Sequence, residues 1–291
     1  MKEEKLAWIA LWSCFLAWGG FPIFVAALLE LISPVELLLV RIIFAAVLLC
    51  LFFLLRREFI ANLREIFRGK FFLSSVITSL ILAANWFFYI YSVEIGQSNQ
   101  ACLGYFITPL ISIALGRFFF AEKLDAWKIT AIVFAFAAVV FQTVMLGGFP
   151  YLALAIGGSF GIYGALRKYL QVSALKGLFA EMLFLSALSL PLSLYFYAGK
   201  WTNLGNSFIT LIWFFSAGIF TLLPLLWYLF AVQKLPLNSV GLAQYSSPSL
   251  QFLVAIFYLQ EDFDLNRLIA FILVWIGLFI YSFHLFWQYR K

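Results

Sequence analysis

The chain carries ten long apolar runs separated by short connections, and this pattern constrains its fold more than any other feature. A helix needs about 20 apolar residues to cross the hydrocarbon core of a bilayer, and each run approaches or exceeds that length. The runs are continuous rather than alternating, so they predict helices and not the strands of a barrel. With 65% hydrophobic and 11% charged residues, the chain is far more apolar than a soluble domain. We therefore predict an all-α integral membrane protein. The predicted helices are 6–29, 35–55, 71–93, 99–119, 127–146, 150–169, 176–198, 208–231, 238–259 and 267–287.

Lysine and arginine residues fall almost entirely on one side of the predicted membrane. When the N-terminus is placed in the cytoplasm, every Lys and Arg lies on that side except Arg41, Lys200 and Arg267. This is the bias of the positive-inside rule, and a wrong helix count would scramble it. It supports ten helices in a cytoplasmic (inner) membrane, with both termini in the cytoplasm. It also accounts for the net charge of +6 through topology and contacts with anionic lipid, so we expect no nucleic-acid partner.

The two halves of the sequence repeat a pattern of rare residues. Residues 85–140 align without a gap onto residues 224–279. The matched pairs are headed by Tyr89/Tyr228, Asn99/Asn238, Pro109/Pro248, Glu122/Glu261 and Asp125/Asp264. Because each half then contains five helices, the second half enters the membrane from the opposite side. We predict two inverted repeats, residues 1–146 and 150–291, with a solute site between them near the midplane. Coincidence of composition is the other explanation for the matches.

Polar and aromatic side chains mark the middle of several predicted helices. Polar groups inside hydrocarbon are costly and usually face the bundle interior, where they bind a solute or join helices. The sequence leaves both roles open. We predict a central cavity lined by helices 1, 3, 4, 6, 8 and 9, in which aromatic rings pack against a solute and amides fix its polar part. The predicted substrate-binding residues are Asn85, Trp86, Tyr89, Tyr105, Tyr163, Gln244 and Tyr245.

Four further residues are candidates for gating or coupling. Pro109 and Pro248 lie about ten residues into their helices, where a proline removes a backbone hydrogen bond and bends the helix. Arg41 and Glu181 are the most deeply embedded charges, Arg41 toward the outer side and Glu181 toward the inner side. Each either snorkels to the nearer interface or takes part in gating, anion attraction or proton coupling.

The sequence lacks the motifs of enzymes and metal proteins. His284 is the only histidine and cannot form a metal site alone, and no P-loop, HExxH, GxSxG or nucleotide-binding glycine motif is present. We therefore expect no catalytic residues, no metal, no cofactor and no enzymatic activity. An intramembrane enzyme and a membrane scaffold or sensor without solute flux are the alternatives to a transporter.

Several short motifs resemble a known family. They are Asn85-Trp86, Leu103–Leu110, Phe119–Leu124, Tyr163–Lys168, Pro224–Leu226 and Gln244-Tyr245 before Pro248. Together they cover most of the chain, which is similar to the RarD group of EamA-type permeases in the drug/metabolite transporter superfamily. The resemblance implies ten helices in two EamA repeats and secondary transport across the bacterial inner membrane.

The residues and the resemblance predict the same function. We expect a secondary transporter that moves a small organic metabolite or a drug-like solute by alternating access. Its expected partners are that solute and membrane lipids, and protons or a counter-solute are open candidates for coupling.

Overall fold

The chain folds into a bundle of helices. The computed structural model describes the backbone of residues 2–204, 208–260 and 264–289, and the side chains of these residues except 197–204 and 284–289. Glu261 and the side chains of Lys200 and His284 therefore lie outside the described residues. No strand occurs in the described backbone. The helices are α1 (Lys2–Leu29), α2 (Pro34–Leu55), α3 (Phe59–Ile66), α4 (Gly69–Glu94), α5 (Ser98–Phe119), α6 (Ala126–Leu146), α7 (Tyr151–Leu170), α8 (Ala174–Leu204), α9 (Phe208–Lys234), α10 (Leu237–Gln244), α11 (Ser246–Phe257) and α12 (Leu265–Tyr289).

Eight of the described helices are long and apolar enough to cross a membrane: α1, α2, α4, α5, α6, α8, α9 and α12. Polar side chains lie inside the bundle, among them the fully or nearly fully buried Thr108, Thr221 and Asn238. Large apolar side chains such as Val133 and Leu194 are exposed on its outer surface. A soluble protein does not expose apolar surface on this scale, so the chain is a multi-pass membrane protein.

Local sequence signals set several helix ends. Ser33 precedes α2 and accepts a hydrogen bond from the Glu36 N–H at 3.3 Å, while the Ser33 N–H donates to Glu36 Oε2 at 2.8 Å. This reciprocal pair is a capping box. Asp125 caps α6 by accepting from the Lys128 N–H at 2.9 Å, and Gly147, with φ of 70°, ends α6 in the left-handed conformation that glycine adopts easily.

The basic connection 56–70 contains a helix that the sequence analysis did not predict. This helix, α3, has eight residues and contacts α2, α4 and α8. Its Glu65 forms an exposed ion pair with Lys176 of α8 at 2.6 Å. A two-turn amphipathic segment is too short to stand out from a connection in the apolar pattern, which is why it was missed.

The prediction of one continuous helix over 238–259 is wrong, because the structure divides it into α10 and α11 at Tyr245. Pro248 has no N–H and cannot donate to the carbonyl of Gln244, four residues earlier. The regular helical pattern is interrupted at Tyr245, whose backbone stays in the right-handed helical region. Pro109 occupies the matching position of the first half, yet α5 runs through it without a break.

Helix packing pairs elements that are distant in sequence. α1 packs on α9 and α11, and α7 packs on α4 and α5. α2 contacts both α8 and α9, α4 contacts α8, α5 contacts α10, and α6 contacts α12. Small residues permit the closest approaches: a Cβ added at Gly157 of α7 would lie 2.9 Å from the Gly104 carbonyl oxygen of α5. Such contacts are the usual means by which membrane helices pack tightly.

A carboxylate from outside α10 caps the N-terminus of that helix. Glu122, just beyond α5, accepts the N–H of Leu237 at 2.6 Å and the N–H of Asn238 at 2.8 Å. Lys168 of α7 lies 3.9 Å from the same carboxylate and donates to the Leu235 carbonyl at the end of α9 at 2.5 Å. These bonds join α5, α7, α9 and α10 at one end of the bundle.

Replacing Glu122 with alanine is expected to lower the free energy of unfolding by about 1–3 kcal/mol, because two buried N–H groups lose their acceptor. The measurement is denaturant unfolding of the purified protein in one detergent. Glu58 is the control, since it is exposed and ion-paired with Arg56 at 3.1 Å; its replacement should cost less than about 1 kcal/mol. Equal losses in Glu122→Ala and Glu58→Ala would contradict the capping role.

Candidate functional site

A cavity of about 420 Å³ lies among the helices. Its wall is formed by residues of α1, α2, α4, α5, α7, α9, α10 and α11. The wall includes Leu29, Pro34 and Val93, so the cavity reaches the end of the bundle at which α1 ends. Trp18 of α1 and Phe160 of α7 lie toward its opposite limit, which we call the floor. The volume is in the range of sites for small organic ligands.

The cavity brings together most of the residues selected from the sequence. Its wall includes Asn85, Trp86, Tyr89, Tyr105 and Gln244 from the predicted substrate-binding set, with Arg41 and Pro248 from the gating and coupling set. Tyr105 of α5 and Gln244 of α10 hold equivalent positions in the aligned halves and face the same space. Arg41 adds α2 to the six helices that were expected to form the wall.

Arg41 is held in the wall by a hydroxyl and two aromatic rings. Its Nε donates to Thr221 Oγ1 of α9 at 3.0 Å. The guanidinium carbon lies 5.1 Å from the ring centroid of Trp86 and 5.2 Å from that of Phe21. Cation–π contacts at this range contribute about 0.5–2 kcal/mol each. Arg41 therefore lies within the bundle and faces the cavity.

Gln244 is a buried amide with an unused acceptor. Its side chain is only 6% exposed, and among the described residues no donor hydrogen-bonds to its Oε1 atom. It is the last residue of α10 and therefore lies directly at the break before α11. A buried acceptor without a donor is costly. The Nε2 atom makes no described hydrogen bond either and is the part of the amide that a solute in the cavity can reach.

The amide of Asn85 was predicted to bind the polar part of a solute, and in the structure it joins two helices. Its Nδ2 donates to the Ile156 carbonyl at 2.8 Å and to Ser159 Oγ at 3.0 Å. These bonds tie α4 to α7 beside the cavity. Gln251 does the same for α11, because its Nε2 donates to the Trp18 carbonyl of α1 at 3.0 Å.

An aromatic layer lies at the floor. Phe160 packs against Trp18 with ring centroids 5.7 Å apart and against Tyr228 at 5.1 Å. Tyr163, one turn further along α7, lies 5.9 Å from Phe160. Tyr228 and Tyr163 are fully buried, so this layer separates the cavity from the end of the bundle where α7 ends.

Four of the predicted residues are not among those that line the cavity: Tyr163, Glu181, Tyr245 and Pro109. Tyr163 donates from its hydroxyl to Glu181 Oε2 at 2.8 Å, behind the floor. Tyr245 donates to the Phe106 carbonyl of α5 at 2.8 Å. Pro109 of α5 is buried, and its carbonyl oxygen lies against Gly241 of α10. In each case the helix turns the residue toward a neighbouring helix rather than toward the cavity.

Behind the floor lies a buried ion pair. Arg167 Nη1 of α7 is 3.6 Å from Glu181 Oε1 of α8, and their side chains are 2% and 0% exposed. Glu181 is therefore not a snorkelling residue. Arg167 was counted among the basic residues of the cytoplasmic side, and the structure adds that its side chain is buried in an ion pair rather than exposed. Its four-residue spacing from Tyr163 places both on one helix face, and Gly177 of α8 leaves space for its guanidinium.

No cluster of three or more His, Cys, Asp or Glu residues that could hold a metal ion occurs in the part of the chain that the structure describes. The cavity wall offers one cation, three primary amides, several hydroxyls and many aromatic rings. This set is suited to binding an organic molecule reversibly and offers no described acid–base pair for catalysis.

Comparison with known proteins gives consistent matches. Residues 6–144 match the EamA-like transporter family. A Bacillus subtilis transporter, YojE, is 34% identical over 92% of this chain and 91% of its own length. The RarD protein of Streptomyces exfoliatus is 32% identical over 96% of this chain and 89% of its own length. The RarD protein of Escherichia coli K12 is 30% identical over 74% and 73%.

A solved crystal structure shares the fold. It superimposes with a TM-score of 0.70 and covers 94% of this chain and 96% of its own chain. At 16% sequence identity, the likeness shows the arrangement of helices alone.

The ion pair behind the floor gives a stability test. Arg167→Met or Glu181→Met alone should each lower the free energy of unfolding by about 3–5 kcal/mol, because one charge stays buried without its partner. The double variant removes both charges and should be more stable than either single variant. Unfolding in detergent measures all three. Losses that simply add in the double variant would show that the two side chains do not stabilise each other.

Proposed function

We propose that this chain, which belongs to the EamA-like transporter family and within it to the RarD group, is a secondary transporter and not an enzyme. It moves a small organic metabolite or a drug-like solute across the cytoplasmic membrane by alternating access. One observation carries the proposal: a cavity built from both halves of the chain reaches one end of the bundle and stops at an aromatic floor.

The proposed architecture is ten membrane crossings in two inverted repeats, 1–146 and 150–291. Eight of the described helices are long and apolar enough to cross the membrane alone. The other two proposed crossings are α7 and the pair α10 and α11, which together form one divided crossing. The packing supports the repeat. In the proposed repeat, α1 corresponds to α7, α2 to α8, α4 to α9, α5 to α10–α11, and α6 to α12. Under this correspondence the α1–α9 contact matches the α7–α4 contact, and the α1–α11 contact matches the α7–α5 contact. The α2–α9 contact likewise matches the α8–α4 contact.

The cavity faces the outside in the proposed orientation. With both termini in the cytoplasm, α1 ends and α2 begins at the outer surface, where the cavity wall reaches Leu29 and Pro34. The floor then lies between the cavity and the cytoplasmic end, where the Arg167–Glu181 pair and the Glu122 cap are found together at α7. We assign this arrangement to an outward-facing state, in which entry from the cytoplasm requires the floor and the contacts behind it to separate.

The gating and coupling roles follow from this arrangement. Pro248 lies at the break between α10 and α11 and is the proposed hinge, whereas Pro109 lies at the close contact of α5 with α10. Glu181 is buried in the closed layer and is the candidate for proton coupling. Opening that layer would hydrate its carboxylate and so change its affinity for a proton. A counter-solute needs no such group.

Trp86→Ala should abolish solute flux, because Trp86 forms a wall of the cavity and packs against Arg41. The measurement is uptake by proteoliposomes containing the full chain, using the solutes that stabilise the purified protein against heat. Tyr91→Ala is the matched control, since Tyr91 is an exposed aromatic residue on the same helix; its flux should stay within about twofold of the unchanged protein.

Two outcomes would contradict the transport proposal. If Trp86→Ala carries flux at the unchanged rate, the cavity is not the path. If solutes bind and none crosses, the scaffold or sensor alternative is favoured instead.

The proposed orientation has its own test. In a Cys102→Ser background, an impermeant maleimide should label Ser98→Cys in intact cells, because Ser98 is exposed at the end where the cavity emerges. Arg57→Cys, exposed in the connection between α2 and α3, should react only after the cells are lysed. The reverse pattern would place the termini outside.

A further inference from the structure

This inference rests on the proposed transport function and names the class of solute. Among the residues that line the cavity, Arg41 is the only one that carries a charge, and no described lining residue is acidic. A guanidinium without a counterion in a low-dielectric site is unfavourable. An ionic partner supplied by the solute would remove that cost.

The geometry of Arg41 leaves room for such a partner. Thr221 occupies Nε at 3.0 Å, and Phe21 and Trp86 cover the guanidinium from ring-centroid distances of 5.2 and 5.1 Å. No described carboxylate lies within 4.0 Å of Arg41, whose only hydrogen bond in the described part of the chain uses Nε. The two terminal amino groups form a planar fork whose geometry matches a carboxylate.

The wall also offers a hydrogen-bond donor to the solute. Gln244 lines the same cavity with its Oε1 atom enclosed by protein, so the Nε2 amide is the polar group open to the cavity. A hydroxyl oxygen of the solute would accept from it. The solute therefore needs two polar groups: an acid for Arg41 and an acceptor for Gln244 Nε2.

The charge balance of the cavity and the amide of Gln244 decide which second polar group fits. An ammonium group would bring a second cation into a wall that has no described acidic residue to pair with it, and it cannot accept a hydrogen bond. A hydroxyl oxygen accepts from Gln244 Nε2 without added charge. The aromatic lining, including Trp86, Tyr89 and Tyr105, suits an apolar body on the same molecule.

We infer that the solute is an organic monoanion of the hydroxy-carboxylate type with an aromatic or branched apolar body. Its carboxylate binds Arg41, its hydroxyl oxygen accepts from Gln244 Nε2, and its apolar body packs against the aromatic wall. A net-neutral amino acid of the same size fits less well.

The test uses four compounds that share a phenylpropyl body. 3-Phenyllactate carries the carboxylate and the hydroxyl, 3-phenylpropionate lacks the hydroxyl, 3-phenyl-1,2-propanediol replaces the carboxylate with an alcohol, and phenylalanine replaces the hydroxyl with an ammonium. Dissociation constants are measured by titration calorimetry with the full chain in lipid nanodiscs. 3-Phenyllactate should bind about tenfold or more tightly than the diol or phenylalanine, and about two- to tenfold more tightly than 3-phenylpropionate.

Two cavity variants assign the roles. Arg41→Gln should remove the preference for the acid over the diol, and Arg41→Lys should keep part of it, because the charge stays and the fork is lost. Gln244→Met should remove the advantage of 3-phenyllactate over 3-phenylpropionate and keep the preference for acids. Arg64→Gln is the control, because Arg64 is exposed on α3, and it should leave all four constants unchanged.

The outcomes separate this inference from the transport proposal. The inference is overturned if the diol binds as tightly as 3-phenyllactate, if phenylalanine binds more tightly, or if neither acid binds. Flux of other solutes that depends on Trp86 would then leave the transport proposal standing. Conversely, tight binding of 3-phenyllactate that depends on Arg41, with no flux of any bound solute, would overturn transport alone. Should Arg41→Gln not fold, the ligand series on the unchanged protein and on Arg41→Lys decides the question.

Discussion

A bilayer offers polar groups no water to bond with, and the whole arrangement of this chain depends on meeting that need internally. Helices satisfy most backbone groups, but helix ends and embedded side chains need partners from elsewhere. Glu122 supplies them at the start of α10, Asn85 ties α4 to α7, and Tyr245 reaches the carbonyl of Phe106. The bonds that hold the bundle together are thus few, buried and placed where helices cross.

The exceptions to this rule mark where the molecule is suited to change. Arg41 has hydrogen-bond capacity to spare, the amide of Gln244 makes no described hydrogen bond, and both side chains line the cavity. Behind the floor, Arg167 and Glu181 compensate each other's charge at 3.6 Å, with no water needed while the layer is closed. In the proposed mechanism, a solute would complete the first pair of residues, whereas hydration would compete for the second. Binding and opening would then use different groups.

Much of this could be predicted from the sequence, and the failures have physical causes. The helices were located because bilayer thickness sets their length, and the resemblance to the RarD group is confirmed by its relatives. Trp86, Tyr105 and Gln244 were found because polar groups in hydrocarbon point inward. Tyr163 points elsewhere because the rotation of an almost wholly apolar helix is set by packing with its neighbours, not by its own pattern. Arg167 escaped notice because its partner is on another helix.

The break at Tyr245 has a mechanical consequence. α10 packs against α5, whereas α11 packs against α1, so one crossing of the bundle is shared between two different neighbours. An unbroken helix packed against both neighbours would transmit any tilt of α1 directly to α5. If the helix bends at Tyr245, α10 and α11 can tilt separately, and each can move with its own neighbour. With Pro248 as the proposed hinge, its missing hydrogen bond would let the bundle bend at the wall of its cavity, so that movement and ligand contact coincide.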